Sequence, residues 1–323
     1  MEYRKLKHTD LTVSRVSFGT MTFGSQTDEA TARRMVDRCL DAGLNFFDTA
    51  NIYNRGQAET ILGKALAGRR DKVVLATKVR SKMGDGPAES GLSAPAIYKA
   101  IEASLQRLGT EYVDVYYLHA PDYETPIEET LVAMEDLVKA GKVRYPAVSN
   151  YAAWQIAEMH CISAGHNLRS PYVSQPMYNL LARAIEEEYV PFTNRFGVSI
   201  VSYNPLAGGL LTGKYIKDRK PIQGGRFDQN PLYQGRYWHE DYFAAVEELE
   251  RIGRDAGRSL VELSVQWLLS QPRVSSVILG ASRIDQLEEN LQACEGPPLD
   301  DSILARCNEV WKRLRGITPK YNR

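Results

Sequence analysis

The chain has 323 residues, of which 43 % are hydrophobic and 25 % charged, the composition of an ordinary globular protein with room for one large domain. Its 40 basic and 40 acidic residues give a formal net charge of +0, which disfavours a nucleic-acid or anionic-membrane surface. We find no apolar run near the ~20 residues that cross a bilayer and no apolar leader segment. We therefore expect a cytoplasmic protein that binds neither nucleic acid nor membrane.

Short apolar runs and amphipathic segments alternate from about residue 15 onwards. After a hairpin at residues 3–13, the predicted strands are residues 16–19, 44–48, 73–78, 112–118, 144–149, 172–175, 198–203 and 276–279. The predicted helices lie near residues 32–40, 58–66 and 97–108, from 127, from 153, and at 185–196 and 284–293. This repeat, with no break in composition, predicts an α/β fold with a single (β/α)8 TIM barrel over residues 1–323.

The length beyond a minimal barrel lies in the N-terminal hairpin, a long loop after strand seven and a C-terminal tail after residue 299. The loop covers residues 207–238, and loops of this length are usually functional. It carries aromatic and basic side chains suited to covering an organic ligand, namely Arg226, Phe227, Tyr233, Arg236, Tyr237 and Trp238. The alternative is a surface loop that packs on itself.

Polar residues stand where three predicted strands end. Asp48, Lys78 and His119 each follow or complete a buried run, and Tyr53 comes shortly after the first. Alone, each has an ordinary explanation, because a lysine at a strand end is usually a solvated charge and a loop tyrosine a surface ring. The carboxyl ends of barrel strands share one face, so together these residues predict acid–base catalysis at that face.

The positions of the cysteines and histidines give little support for metal or thiol chemistry. The four cysteines, none in a C-x-x-C pair, are Cys39, Cys161, Cys294 and Cys307. The spacing predicts thiols in a reducing compartment and neither a disulfide framework nor a zinc site. The five histidines are dispersed at His8, His119, His160, His166 and His239. A metal-dependent barrel hydrolase, one alternative class, needs clustered ligands, so we expect no metal site.

Several segments in order resemble the aldo-keto reductases. They are residues 11–24, 45–53, 76–78, 112–119, 148–151 and 280–291. Residues 203–214 resemble the long-loop branches of that family, which include aflatoxin-aldehyde-type reductases, bacterial general reductases and potassium-channel β subunits. The resemblance covers nearly the whole chain. It implies a TIM barrel, an NADPH cofactor, carbonyl reduction, and catalytic roles for Asp48, Tyr53, Lys78 and His119.

The four residue types suit such a reduction. A developing alkoxide must gain a proton, and a phenol can donate one, although its free pKa is ~10. A cation beside Tyr53 can lower that pKa by ~1–3 units, and Lys78 is the candidate. Asp48 would keep Lys78 charged, and His119 would donate to the carbonyl oxygen and polarise it.

The cofactor site is predicted mainly from the resemblance. No G-x-G-x-x-G follows a strand, so a Rossmann fingerprint is absent. The exit of strand eight offers backbone N–H groups, a hydroxyl and a guanidinium to a phosphate, which by resemblance is the adenosine 2′-phosphate; NADPH is therefore favoured, with NADH as the alternative. The predicted set is Gly19, Thr20, Met21, Asp48, Ser149, Asn150, Gln175, Tyr203, Asn204, Pro205, Leu206, Gly208, Leu210, Lys214, Gly280, Ser282, Arg283, Gln286, Glu289 and Asn290.

Residues 208–215 nearly match the phosphate loop of nucleotide triphosphatases, G-x-x-x-x-G-K-[ST]. Tyr215 replaces the small hydroxyl residue that binds Mg²⁺, and Pro205 interrupts the connection from the strand. The match therefore does not predict an NTPase. By resemblance, this backbone approaches the pyrophosphate of a dinucleotide.

The expected partner is a small carbonyl or alcohol substrate. It should contact residues 120–122, the long loop and the tail near residues 317–321. The predicted contact residues are Met21, Phe23, Tyr53, His119 and Trp238. One alternative stays open, a redox-sensing protein of the β-subunit type that holds NADPH and turns over slowly. The oligomeric state is also open, and Pro146 within strand five has no functional explanation.

Overall fold

A hairpin and a closed barrel contain the strands of this protein, seen in a computed structural model that describes residues 1–217 and 219–317. The antiparallel hairpin pairs β1 (Tyr3–Lys5) with β2 (Thr12–Ser14). The barrel strands, all parallel, are β3 (Val16–Gly19), β4 (Phe46–Asp48), β5 (Val74–Val79), β6 (Val113–Leu118), β7 (Val143–Ser149), β8 (Val173–Gln175), β9 (Ser199–Ser202) and β10 (Val274–Gly280). Each pairs with the next and β10 closes onto β3, so the predicted (β/α)8 barrel is confirmed.

Helices surround the barrel. They are α1 (Glu29–Asp41), α2 (Gln57–Ala65), α3 (Ala94–Leu108), α4 (Ile127–Lys139), α5 (Ala153–His166), α6 (Tyr189–Phe196), α7 (Pro231–Tyr237), α8 (Glu240–Asp255), α9 (Leu260–Leu269), α10 (Ile284–Glu295) and α11 (Asp301–Arg315). Each long helix presents an apolar stripe to the barrel; in α1 the stripe is Ala32, Met35, Val36 and Cys39. This stripe is the periodicity from which the sequence predicts the helix.

The structure differs from the predicted elements in several places. The sequence pattern predicts no helix between residues 197 and 275, where the structure has α7, α8 and α9. The helix predicted at residues 185–196 is a 3-10 turn (Ala184–Glu186) followed by α6. Pro191 explains the break, because a proline is tolerated in the first turn of a helix but not further inside it. The predicted C-terminal tail contains α11, and residues 318–321 lie outside the described residues.

The hairpin covers the N-terminal end of the barrel. Leu6 and Leu11 are buried and pack with interior barrel residues such as Phe46 and Val115. The hydroxyl of Tyr145 on β7 donates to Asp10 at 2.9 Å, which ties the hairpin to the wall. Because this end is covered, access to the barrel interior is from the carboxyl ends of the strands.

The loop after β9 folds onto itself. It contains a 3-10 segment (Ala207–Thr212) and α7, and its aromatic rings pack together. The ring centroid of Phe227 lies 4.9 Å from that of Tyr215 and 5.2 Å from that of Trp238. The self-packed alternative therefore describes these rings better than an open aromatic cover.

Across residues 1–217 and 219–317, we find no helix with the length and apolarity to pass through a bilayer. In the same ranges, no three His, Cys, Asp or Glu side chains are grouped so that they could bind a metal ion.

Candidate active site

Asp48 and Lys78 meet at the mouth because their strands are neighbours. Both are buried, with 2 % and 0 % exposure. The Lys78 ammonium donates to one oxygen of Asp48 and, at 2.7 Å, to the carbonyl oxygen of Thr49. Burial alone would lower the pKa of Lys78, but the Asp48 carboxylate and Tyr53 together outweigh that effect and hold the pKa above its usual value. The structure therefore keeps a charged ammonium in a dry site.

Tyr53 is held over this ammonium by an unusual turn (Tyr53–Gly56). Asn54, Arg55 and Gly56 all have left-handed backbone, with φ of 50°, 55° and 87°. The Asn54 amide donates to the carbonyl oxygens of Met21 and Phe23 at 3.0 and 2.6 Å, which ties the turn to the segment after β3. Lys78 Nζ lies 5.0 Å from the centroid of the Tyr53 ring.

The acidity of Tyr53 differs from the expectation. Burial raises the pKa of Tyr53, and the nearby Lys78 ammonium opposes that rise without reversing it. We predicted a lowered pKa from the cation alone, which leaves out the cost of placing a phenolate in a site with little water. The phenol therefore stays protonated at neutral pH, which is the state that a proton donor needs.

His119 completes the group of four. Its backbone N–H donates to the Val79 carbonyl at 2.9 Å, and its ring stands edge-on to Tyr53 with centroids 6.1 Å apart. Burial, together with the charges of Lys78 and Arg80, lowers the pKa of His119 to about 3. Its Nδ1 has no hydrogen-bond partner among the described residues. The structure thus presents a neutral imidazole with unused hydrogen-bonding capacity beside Tyr53.

Four polar residues of the predicted cofactor set lie together on the adjoining wall. The Asn150 amide donates to the His119 carbonyl at 2.8 Å and accepts from the Tyr203 hydroxyl at 2.7 Å. The Ser149 hydroxyl donates to the Gln175 carbonyl at 2.9 Å. Tertiary structure therefore joins the ends of β7, β8 and β9 into one polar surface next to His119.

The segment after β9 forms a tight turn predicted to approach the pyrophosphate. Asn204 has φ of 62°, its side-chain oxygen accepts from the Gly208 N–H at 2.7 Å, and its amide donates to the Tyr237 hydroxyl at 2.9 Å. Pro205 and Leu206 lie within this turn. Leu210 turns its side chain into the core, where it is fully buried. A ligand at this turn could therefore reach the main chain of Leu210 but not its side chain.

Positive charge collects beyond the turn. Burial lowers the pKa of Lys214, and the nearby charges of Arg283 and Arg226 lower it further. The proximity of three cationic side chains suits a phosphate-bearing ligand. Arg283 is paired in this structure with the exposed Asp285 at 2.7 Å.

The exit of β10 supplies the remaining predicted cofactor residues. Gly280 is exposed and pairs with Gly19 across the β10–β3 seam, and a Cβ at Gly280 would meet only the Gly19 carbonyl oxygen within 4 Å. The Ser282 N–H and hydroxyl both donate to Gln286, at 2.9 and 3.0 Å. Asn290 is buried and donates to the Gly280 carbonyl at 3.2 Å. Two further residues of the predicted cofactor set are Glu289, which is exposed, and Thr20, which is buried. The Thr20 hydroxyl donates to the main-chain carbonyl oxygen of Asp48.

The predicted substrate residues are only partly brought together. Met21 is 42 % exposed at the mouth, and its sulfur accepts from Arg226 at 3.0 Å. Phe23 is fully buried and packs against Phe18, so the structure does not expose it where a substrate would bind. Trp238 belongs to the self-packed rings of the long loop.

Two contacts of this site escaped sequence reasoning. Gln175 donates to the second oxygen of Asp48 at 2.8 Å from the opposite wall of the barrel. Asn54 ties the Tyr53 turn to the segment after β3. Asparagine tolerates left-handed backbone better than most residues, so an asparagine directly after Tyr53 could have predicted a tight turn at the proton donor.

A carboxylate, an ammonium, a phenol and an imidazole meet at the mouth of a (β/α)8 barrel, the face where barrel enzymes carry their active sites, and such groups can transfer a proton. The chain belongs to the aldo/keto reductase family, whose sequence profile matches residues 15–312. The resemblance found in the sequence is thereby confirmed. Family membership supports an oxidoreductase of carbonyl compounds.

The similar proteins are named as a channel subunit, an oxidoreductase and an aldehyde reductase. The chain is 40 % identical over 306 residues, 93 % of each chain, to a probable voltage-gated potassium channel subunit beta of Oryza sativa subsp. japonica. It is 37 % identical over 331 residues, 99 % of each chain, to the uncharacterized oxidoreductase YrpG of Bacillus subtilis. It is 36 % identical over 322 residues to aflatoxin B1 aldehyde reductase member 2 of Rattus norvegicus, covering 94 % of this chain and 86 % of the relative.

Proposed function

We propose that this protein is an NADPH-dependent reductase of aldehydes, ketones or sugar-like carbonyls, in which Tyr53 donates the proton. The observation that carries the proposal is the position of Tyr53. Its phenol is kept protonated by burial and lies over the Lys78 ammonium, 5.0 Å from ring centroid to Nζ. Membership of the family and the aflatoxin-aldehyde reductase relatives support carbonyl reduction.

The residues at the mouth fit a nicotinamide dinucleotide phosphate. Ser149, Asn150 and Gln175 would bind the carboxamide, and the ring of Tyr203 would stack on the nicotinamide. The turn from Asn204 to Leu210 would hold the pyrophosphate through main-chain groups. The cofactor would supply the hydride.

A second group of residues favours NADPH over NADH. Lys214, Ser282 and Arg283, with Gln286, would surround the 2′-phosphate, and Glu289 and Asn290 would contact the adenine. The observation that supports this is the shared positive environment of Lys214, Arg226 and Arg283. A cofactor without the 2′-phosphate would bring no negative charge to these cations.

Side chains of the protein then carry out the proton transfer. Tyr53 gives its proton to the substrate oxygen as the alcohol forms, and the Lys78 ammonium stabilises the phenolate left behind. Asp48 keeps that ammonium in place through the direct ion pair. His119, neutral because its pKa is near 3, donates a hydrogen bond that orients the same oxygen. The same groups serve alcohol oxidation in reverse.

The test is Tyr53→Phe, with 4-nitrobenzaldehyde as substrate and NADPH consumption as the readout. We expect kcat to fall by at least about 10²-fold, the low end for general acid catalysis, while NADPH affinity measured by fluorescence stays within a few-fold. Tyr3→Phe, at the covered end of the barrel, is the matched control and should keep full activity. Normal turnover by Tyr53→Phe would refute the assigned role.

A second candidate is an NADPH-binding subunit with slow turnover. The 40 % identity to a probable potassium channel subunit beta favours it. Measuring NADPH binding and NADPH consumption by the wild-type protein distinguishes the two candidate functions. Tight NADPH binding with almost no consumption, across a panel of aldehydes and ketones, would support the subunit, whereas rapid consumption supports the reductase.

A further inference from the structure

A cavity lies beside the end of β5, the strand that carries Lys78. It has a volume of about 230 Å³ and is lined by the loop at residues 81–93 and by α3. Its polar lining includes Asn51, Arg80, Ser81, Glu89, Lys99 and Arg107. Sites for drug-sized ligands span ~300–1,000 Å³, so an occupant here would be small.

The lining has an excess of positive charge. Lys99 pairs with Glu89, and Arg107 Nε donates at 2.7 Å to Glu59, which is fully buried. The exposed Arg80 guanidinium has no hydrogen bond or ion pair within the part of the chain that the structure describes, and it interacts with the Asp122 carboxylate only at longer range. An unpaired guanidinium beside a cavity attracts an anion, because its planar donors match carboxylate and phosphate oxygens.

One residue of the lining holds a buried acceptor without a partner. Asn51 lines the cavity and is only 2 % exposed, yet its side-chain oxygen has no donor among the described residues. A buried polar atom without a partner is destabilising. A hydroxyl group on a bound molecule would provide the missing donor.

The backbone at Arg80 is strained. Its φ is 138°, a conformation that side-chain-bearing residues rarely adopt, and the Gly91 N–H holds its carbonyl at 2.8 Å. Such strain persists where the surroundings impose it and is concentrated at functional sites. Here Arg80 lines the cavity and directly follows Val79, whose carbonyl oxygen accepts from the His119 N–H.

We propose that this cavity binds a small oxyanion that also carries a hydroxyl group, such as hydrogen phosphate or the phosphate ester of a short polyol. Arg80 and Lys99 bind the oxyanion, and the Asn51 oxygen accepts from the hydroxyl. The occupant would lie near both proton-handling groups. Arg80 is close enough to lower the pKa of His119, and Arg107 packs on Gly56 in the turn of Tyr53.

The test is isothermal titration calorimetry of the full chain with inorganic phosphate, glycerol 3-phosphate and sulfate. Arg80→Gln and Lys99→Gln should each weaken phosphate binding at least about tenfold, as expected for a lost charged hydrogen bond. Lys82→Gln is the matched control: it lies in the same loop, pairs with Asp85 and does not line the cavity, so it should bind phosphate like the wild type. Sulfate has no hydroxyl to donate and should bind several-fold more weakly than phosphate.

Arg283→Gln separates this cavity from the proposed cofactor site, which also attracts phosphate. Binding that survives Arg283→Gln and is lost in Arg80→Gln supports the proposal whether or not the protein proves to be a reductase. Three results would overturn it: no phosphate binding by the wild type at millimolar concentration, binding unaffected by Arg80→Gln and Lys99→Gln, or complete loss of binding in Arg283→Gln. Sulfate binding as tight as that of phosphate would overturn the role of Asn51.

Discussion

Gln175 Nε2 donates to Asp48 at 2.8 Å across the interior of the barrel. The two residues end β8 and β4, which lie on opposite walls. The other oxygen of the same carboxylate accepts from Lys78. The position of the ammonium under Tyr53 therefore depends on an amide 127 residues away in the sequence.

Gln175→Leu should reduce kcat by about tenfold or more, because one hydrogen bond to a charged group is worth about 1.5–3 kcal/mol and its loss frees Asp48 to move. Steady-state kinetics with 4-nitrobenzaldehyde measures the effect. Gln266→Leu is the control, since Gln266 is also buried but bonds the Ala293 carbonyl away from the mouth. That variant should lose stability and keep its kcat. Equal kcat values in the two variants would contradict the positioning role.

Because of His119, the free energy of unfolding should decrease as the pH is lowered. Its pKa is about 3 in the folded protein and ordinarily 6.5, so between these values the unfolded chain binds a proton that the folded chain does not. The stabilisation is complete above pH 6.5 and declines as pH falls toward 3, by at most about 1.4 kcal/mol per pH unit. Urea unfolding at pH 7, 6 and 5 measures this slope.

The matched variants are His119→Gln and His166→Gln. The first removes the buried imidazole and should flatten the slope between pH 7 and 5. The second changes a histidine whose side chain is 61 % exposed and should leave the slope as in the wild type. An unchanged slope in His119→Gln would show that His119 is not the group responsible.

Gly56→Ala should both destabilise the protein and impair turnover. A Cβ at Gly56 would lie 2.7 Å from Arg107 Cδ, and φ is 87°. Left-handed backbone costs about 1–2 kcal/mol for a non-glycine residue, and overpacking about 1–3 kcal/mol more. Gly68→Ala is the control. Gly68 has a similar φ of 75°, and nothing lies within 4 Å of an added Cβ, so this variant should show only the cost of the left-handed backbone. Equal urea midpoints for the two variants would rule out a clash with Arg107.

Arg283→Gln should raise KM for NADPH at least about tenfold and leave KM for NADH within about threefold, because only NADPH carries the 2′-phosphate. Asp285→Asn should act in the opposite direction and lower KM for NADPH, since it frees Arg283 from its exposed partner. Kinetics with both cofactors measures the change. Parallel shifts for NADPH and NADH would place Arg283 outside the 2′-phosphate site.

Much of this protein follows from local sequence. The period of apolar residues predicts the strands and helices, and parallel strands of a barrel must present their carboxyl ends at one face. Asp48, Lys78 and His119 are therefore predicted to converge from their places in the sequence alone. The sequence also determines the family, because its motifs recur in order over almost the whole chain.

Other properties depend on distances between residues remote in sequence, and only the tertiary structure decided them. The net pKa of Tyr53 reflects burial as well as Lys78, and burial is a property of the packed barrel. Phe23 is buried because the segment after β3 folds over Phe18, and Gln175 reaches Asp48 only because the sheet closes. Local patterns specify which face of an element is apolar, but packing sets which polar groups meet and how much water they keep.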